Sequence, residues 1–225
     1  MKFQVCGLDT AAVVELRSSR IETRRLLDHQ RNDNIMNAPS YLQKQLANLN
    51  AVFHGITEDL TDEEWVTRPA PGQNMIGYTV WHMPRAQDTF VQTWIRGIPE
   101  VAHNERWAHW QPLKRLGIGV GISLDEADEI ARNTKRTDVF EYADAVHQEI
   151  SAWLEGIEEG ELDQVNDTHQ RLSSFPEYQT HEFVEEVSNL INQPAWTLLM
   201  RPCIGHIHRH LGELDIVKTI LRTGK

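Results

Sequence analysis

A pair of histidines in the segment GHIHRH, residues 205–210, has the spacing of a metal site. On an α-helix, residues four apart lie about 40° apart around the axis and roughly 6 Å apart along it, so His206 and His210 can bind one ion. His208 lies about 200° from His206 around the same helix, and we assign it to the surface or to packing. The pair lies on the inward flank of an apolar stripe. This stripe consists of Ile207, Leu211, Leu214, Val217 and Leu221.

A third histidine, His82, occurs within an earlier helical pattern, beside its apolar face. A packed core histidine would also fit this position, and an HxxxH pair is a weak signal in a chain with 11 histidines. Two imidazoles from one helix and one from another leave a coordination position open for water or substrate, as in catalytic zinc sites. The sequence therefore predicts one divalent ion, Zn, Ni or Fe, bound by His82, His206 and His210. Because imidazole binds metal only when neutral, we expect occupancy to fall as the pH drops through about 6.5.

Other residues give weaker signals for chemistry. No general base is evident, so we assign no catalytic residue, although Glu213 could hydrogen-bond to His210 from one turn away. The glycine-rich run GIGVGIS, residues 117–123, lacks the GK[ST] ending of a phosphate loop, and the HExxH pattern of metalloproteases is absent. We predict no cofactor-binding residue besides the metal ligands. The remaining histidines have no partner at metal-binding spacing, and we expect most to be solvated. They are His29, His54, His103, His109, His147, His169 and His181.

Helices must hold these ligands, and the first strong helical pattern follows Met36. Its apolar residues are Leu42, Leu46, Leu49, Val52, Phe53 and Ile56. In LTDEEW, Thr61 and Glu64 predict a capping box and a short helical turn. Asn74 is the predicted cap of the helix that carries His82.

This helix should kink at Pro84 and end at Gly97. Residues 98–123 read as a long crossover, which Trp107 and Trp110 anchor and which shields the site. Helices are predicted from Leu124 to about Asn133, and then over a longer stretch. The apolar residues of that stretch are Val139, Phe140, Ala143, Val146, Ile150, Trp153 and Leu154. Residues 160–190 are ambiguous, and Pro202 opens or kinks a last helix that ends near Gly224.

Four strong helical patterns with long connections predict an all-α fold, a four-helix bundle with long crossover connections. Residues 1–35 carry only a weak apolar series, and we expect an N-terminal appendage with at most one marginal helix. Residues 36–225 are then the metal-binding helical bundle.

Composition restricts the function further. The chain of 225 residues is 40% hydrophobic and 24% charged, which is ordinary for a globular domain. A net charge of -11 argues against nucleic-acid and membrane partners. Cys6 and Cys203 form neither a disulfide framework nor a thiolate zinc motif, and no signal peptide or membrane span is evident. We therefore expect a cytoplasmic protein.

Two stretches resemble the DinB/YfiT-like superfamily of bacterial four-helix-bundle proteins. TVWHMPRAQD is similar to the family's second helix, where an aromatic residue precedes the first metal histidine and an acid follows six residues later. GHIHRHLGELDIVKTIL is similar to the family's HxxxH followed by Leu or Arg, Gly, and Glu or Gln. The resemblance covers roughly residues 39–224 and implies metal ligands at His82, His206 and His210. Residues 1–35 have no counterpart, and Pro84 and Pro202 depart from the smooth helices of the family.

The open three-histidine pattern leads to two hypotheses of function. The first is a metal-dependent enzyme that activates a low-molecular-weight thiol, as in the S-transferase and isomerase branches of the family, or water, as in a hydrolase. The alternative is a non-enzymatic stress-response or binding protein in which the metal is structural or absent. The expected partners are a small-molecule substrate and, from the resemblance, a second copy in a homodimer.

Overall fold

The architecture is all-α, as the sequence predicts. The computed structural model describes residues 36–224, and this part of the chain contains nine α-helices and no β-strand. They are α1 (Ala38–Thr57), α2 (Asp62–Trp65), α3 (Ile76–Asp88), α4 (Leu124–Asn133), α5 (Arg136–Gly156), α6 (Thr168–Leu172), α7 (His181–Val187), α8 (Ala195–Leu198) and α9 (His206–Thr223).

The four long helices α1, α3, α5 and α9 form the bundle. Helix α1 packs against α5 and α9, and α3 packs against the same two helices and against α4. The helical spacing predicted for α1 is confirmed, since Leu42, Leu46, Leu49 and Phe53 are all buried. No helix in the described region is both long and apolar enough to cross a bilayer.

Local signals at helix ends are confirmed at α2 but not at α3. The Thr61 hydroxyl accepts the Glu64 N–H, and the Glu64 carboxylate accepts the Thr61 N–H. The predicted cap Asn74 is wrong, because Met75 is the capping residue of α3 and contributes no side-chain bond. Burial of the neighbouring apolar residues Met75 and Ile76 fixes this helix start instead of a polar cap.

A π-helical segment adjoins each ligand-bearing helix, and a proline lies within or just before each of these helices. Pro84 lies inside α3, which continues as a π-helix over Thr89–Arg96, and Pro202 lies inside the π-helix Leu199–Gly205 that leads into α9. Proline has no N–H to donate and crowds the preceding turn, and wider π-turns often occur at functional sites. Gly97 and Gly224 end the two helices in the left-handed conformation, as predicted.

The crossover after α3 folds onto the bundle as short 3-10 helices at Val101–His103 and Glu105–Leu116. Trp107 and Trp110 are buried, stack on each other with ring centroids 5.3 Å apart, and pack edge-on against Tyr142 of α5. The two tryptophans therefore anchor the crossover, as expected.

The helices predicted after the crossover are present, and the ambiguous stretch is resolved into short elements. Helix α4 begins with a capping box between Ser123 and Glu126. Helix α5 buries five of the seven apolar residues that predicted it, and the other two, Phe140 and Trp153, are partly buried against the core. From Glu159 to Leu190 the described chain forms helical segments of seven residues or fewer. Such segments are too short to show a helical period in the sequence.

The proposed boundary at Met36 leads to a first prediction. The marginal helix predicted within residues 1–35 lies outside the described residues, as do Cys6 and His29. The chain from Ala38 onward forms one compact unit that contains all three candidate ligands. A protein beginning at Met36 should therefore keep its helical circular dichroism and its Zn(II) affinity. Loss of cooperative thermal unfolding in this variant would mean that the first 35 residues belong to the core.

Candidate metal centre

The three histidines singled out in the sequence meet at one point. The Nε2 atom of His206 lies 3.4 Å from Nε2 of His82 and 2.7 Å from Nε2 of His210. One nitrogen of each ring lies within 4.8 Å of the others, so the group could hold a metal ion. His82 comes from the middle of α3, while His206 and His210 occupy the first two turns of α9.

A second polar group contacts each ring away from this meeting point. His82 Nδ1 lies 2.5 Å from the Ile118 carbonyl, and His210 Nδ1 lies 2.7 Å from the Glu213 carboxylate, the contact expected from the sequence. For His206 the corresponding group is the Pro202 carbonyl, which acts to raise the pKa of the ring. Such partners fix the ring orientation and the tautomer of metal-binding histidines.

The π-turn before α9 explains the partner of His206. In an α-helix the His206 N–H would bond to the carbonyl four residues earlier, which belongs to Pro202. Here the His206 N–H donates to Arg201, five residues earlier. The Pro202 carbonyl is therefore placed to meet the His206 side chain.

Burial keeps the three imidazoles neutral. It lowers the pKa of His82 to about 4, although the Ile118 hydrogen bond acts in the opposite direction. Burial, with help from the neighbouring His82 and His210, lowers the pKa of His206 to about 3. Burial also lowers the pKa of His210 despite the nearby Glu213. Neutral imidazole is the form that binds metal.

This donor set fits a divalent ion. Zinc–imidazole bonds of about 2.0–2.1 Å in a tetrahedral shell place neighbouring nitrogens roughly 3.3 Å apart. The observed separations of 3.4 and 2.7 Å bracket that value. Three neutral nitrogen donors leave one tetrahedral position for an exchangeable molecule. The group therefore has the chemistry of a site that binds and polarises a small ligand.

A cleft of about 740 Å³ opens onto all three rings. Its walls are α3, residues 119–122 of the crossover, α7 and α9. A smaller, more apolar cavity of about 230 Å³ adjoins it at His206 and extends between Phe90 and Leu190. The crossover does border the cleft, but through residues 119–122, whereas Trp107 and Trp110 line neither space, so the expectation that the part near these tryptophans shields the site is wrong. They pack instead on Tyr142, and a different part of the crossover reaches the ligands.

Of the other histidines that the structure describes, none belongs to the converging group. His208 is exposed, as expected. His54 of α1 bonds to Asp144 of α5 at 2.7 Å, and His109 bonds to Asp138. Outside the three ligands, no group of metal-binding side chains converges in the described region.

Sequence reasoning missed a buried charge cluster one turn beyond His82. The Arg85 guanidinium lies 2.8 Å from Glu100 and 3.4 Å from Asp88, and it donates to the phenols of Tyr142 and Tyr178. Both carboxylates have no exposed surface. Asp88 is the acid that follows His82 by six residues. This acid was the one feature of the sequence that could have pointed to the cluster.

Asp88 in this cluster ties the crossover to the ligand helix. Its carboxylate accepts the backbone N–H groups of Val101 and Ala102 at 2.9 and 3.0 Å. Tyr142 also donates to it at 2.6 Å, so α5 is joined to the same point.

The shifted pKa values move the predicted pH window of metal release. A free imidazole has a pKa near 6.5 and would compete with metal below that value. Because the pKa values of His82 and His206 are about 4 and 3, protons should compete only as the pH approaches this lower range. We expect the Zn(II) affinity from calorimetry to be nearly constant from neutral pH to about 5 and to fall as the pH approaches 4. A steep loss already near pH 6.5 would show that the rings are hydrated.

Comparison with known proteins identifies the family of this chain. A family model of the DinB superfamily matches residues 45–214, a range that extends from within α1 to within α9. The matched range contains all three histidines of the candidate centre. No curated protein matches the chain. The chain belongs to the DinB superfamily.

Proposed function

We propose that this protein is a metal-dependent enzyme that activates a small nucleophile, either a low-molecular-weight thiol or water. The observation that carries the proposal is the convergence of three neutral imidazoles, from His82, His206 and His210, on the wall of an open cleft. His82, His206 and His210 would hold a divalent ion such as Zn, Ni or Fe, which would act as a Lewis acid and lower the pKa of the nucleophile.

The chain itself contributes binding and orientation. The rings are held by Ile118, Pro202 and Glu213, so little reorganisation is needed when an ion binds. Three glutamates of α7 and Arg209 of α9 give the cleft both signs of charge. A polar cleft next to a smaller cavity that is lined by both apolar and charged residues suits a small substrate with a polar group.

A nucleophilic thiol would have to enter as a substrate. No cysteine is among the described residues that line the cleft. Cys203 is fully buried, and burial raises the pKa of its thiol. A buried, protonated thiol is a poor nucleophile. The thiol-transferase variant of the proposal therefore needs two substrates, whereas the hydrolase variant needs one.

Turnover by tag-free protein tests the proposal. Elemental analysis would first identify the bound metal. The metal-loaded protein would then be assayed with cysteine or glutathione and monobromobimane, and separately with p-nitrophenyl acetate in water. We expect one of the two reactions to be accelerated, and the acceleration to be lost after chelation and in His210→Ala. Equal rates for loaded protein, chelated protein and buffer in both assays would contradict the enzyme proposal.

A non-enzymatic role remains the second candidate, because the ligands join two different helices. An ion shared by His82 of α3 and His206 of α9 would brace the bundle. Under this alternative, chelation lowers the melting temperature while no reaction is catalysed. A cytoplasmic location and a homodimer likewise stay predictions from the sequence.

A further inference from the structure

The glycine-rich run at residues 117–121, GIGVG, crosses the ligand helix α3 next to His82. We call this run the glycine strap. The backbone φ angles of Gly117, Gly119 and Gly121 are +55°, +88° and +76°, a region that residues with a Cβ rarely adopt. The glycine strap is the first part of the glycine-rich run GIGVGIS, residues 117–123, which lacks the GK[ST] ending of a phosphate loop.

Two consecutive carbonyls of the strap face two side chains of α3. The Ile118 carbonyl lies 2.5 Å from His82 Nδ1, and the Gly119 carbonyl accepts the Tyr78 hydroxyl at 2.6 Å. Tyr78 and His82 are one helical turn apart, and their rings stack with an angle of 9° between the planes. The strap and Tyr78 thus hold His82 at its Nδ1 atom and across its ring face.

The close approach leaves no room for a side chain on the strap. A Cβ atom at Gly119 would lie 2.8 Å from the Tyr78 ring and 2.9 Å from its hydroxyl oxygen. One at Gly121 would lie 2.4 Å from Cβ of Glu182, on α7. Glycine is therefore required both by the backbone angles and by the packing of the strap between α3 and α7.

The geometry points to the glycine strap as a positioning element that sets the tautomer of the His82 ligand and, through it, metal affinity. A carbonyl can only accept, so the Ile118 carbonyl requires the proton of neutral His82 to be on Nδ1. The lone pair is then on Nε2, the atom that faces His206. This inference rests on the proposed metal site, but it assigns a role to residues that are not ligands.

Calorimetry with Zn(II) on the full chain tests the role of the strap. Gly119→Ala should weaken binding about 10- to 100-fold, the usual cost of disturbing the partners of a metal-binding histidine. Gly72→Ala is the matched control, because Gly72 has a φ of +79° but nothing within 4 Å of an added Cβ. It carries a similar backbone strain and should keep the wild-type affinity. Tyr78→Phe, which removes only the hydroxyl bond to Gly119, should show a smaller loss.

The tautomer of His82 in the metal-free protein separates the possible outcomes. Long-range ¹H–¹⁵N NMR should show the Nδ1–H form of His82 in wild type and Gly72→Ala, and a mixture of tautomers in Gly119→Ala. If wild type has this tautomer but binds no Zn(II), the proposed function and the effect on metal affinity fail, while the role of the strap in setting the tautomer stands. If wild type binds Zn(II), and Gly119→Ala and Tyr78→Phe have its affinity and its tautomer, the strap does not position His82.

Discussion

Replacing any one of His82, His206 and His210 by alanine should reduce the Zn(II) affinity at least about 100-fold, while the chain stays largely helical. The three nitrogens are the complete set of converging donors in the described region. Apparent zinc-binding free energies of roughly 10–16 kcal/mol are shared among few ligands, so the loss of one removes a large part of the total. Calorimetry would measure the affinity, and far-ultraviolet circular dichroism would monitor the fold.

His208→Ala is the matched control for these substitutions. It removes an imidazole from the same turn of α9, but His208 is exposed and is not one of the converging donors. This variant should keep the wild-type affinity. The proposed site does not exist if all four variants bind Zn(II) as tightly as wild type. Loss of binding in His208→Ala alone would mean that the wrong pair of α9 was chosen.

The second large effect is expected in the fold: Arg85→Met should lower the free energy of unfolding by about 3–5 kcal/mol. The substitution keeps an unbranched apolar chain but removes the cation between Asp88 and Glu100, which are fully buried. Two carboxylates without a cation are costly in a low-dielectric interior. Urea unfolding followed by circular dichroism would measure the change.

Arg115→Met is the control for this prediction. Arg115 pairs with Glu129, but its side chain is 53% exposed, so its loss should cost within about 1 kcal/mol. An equally small change in Arg85→Met would show that the buried cluster does not depend on its cation.

The pH dependence of the Arg85→Met effect follows from the same cluster. In wild type, burial and the nearby Glu100 raise the pKa of Asp88 to about 7, whereas Arg85 lowers it. Without Arg85, both carboxylates should hold protons to higher pH. A carboxyl whose pKa is higher in the folded state binds more protons there, so folding stability rises as the pH falls toward the unfolded pKa near 4. The deficit of Arg85→Met should therefore be larger at pH 8 than at pH 5.

The sequence by itself determined what depends on neighbours within a few turns. The apolar spacing from Leu42 to Phe53 fixed helix α1, and Thr61 with Glu64 fixed the capping box of α2, because both signals act through contacts three or four residues apart. The pairing of His206 with His210, and the exclusion of His208, followed from helix geometry in the same way. Glycine at positions 97 and 224 gave the ends of the ligand-bearing helices.

Only the tertiary structure decided which distant groups meet. His82 is 124 positions from His206, and periodicity could place it beside an apolar face but could not identify its neighbour. The Ile118 carbonyl is a backbone group, so no residue type in the sequence marks it as the partner of His82. The charge cluster of Arg85 likewise joins residues of α3 and α5 to Glu100 and Tyr178, which belong to two later segments of the chain.

The π-helical segments also depend on both the local sequence and the tertiary structure. Proline at positions 84 and 202 signals a disturbed helix, but the hydrogen bond that replaces the lost one depends on what packs around that turn. At Pro202 the wider turn directs a carbonyl to His206, and at Asn74 the burial of Met75 and Ile76 overrides a polar cap. Helix periodicity is encoded over a few residues, whereas a site is assembled from backbone and side-chain atoms that only packing brings within bonding distance.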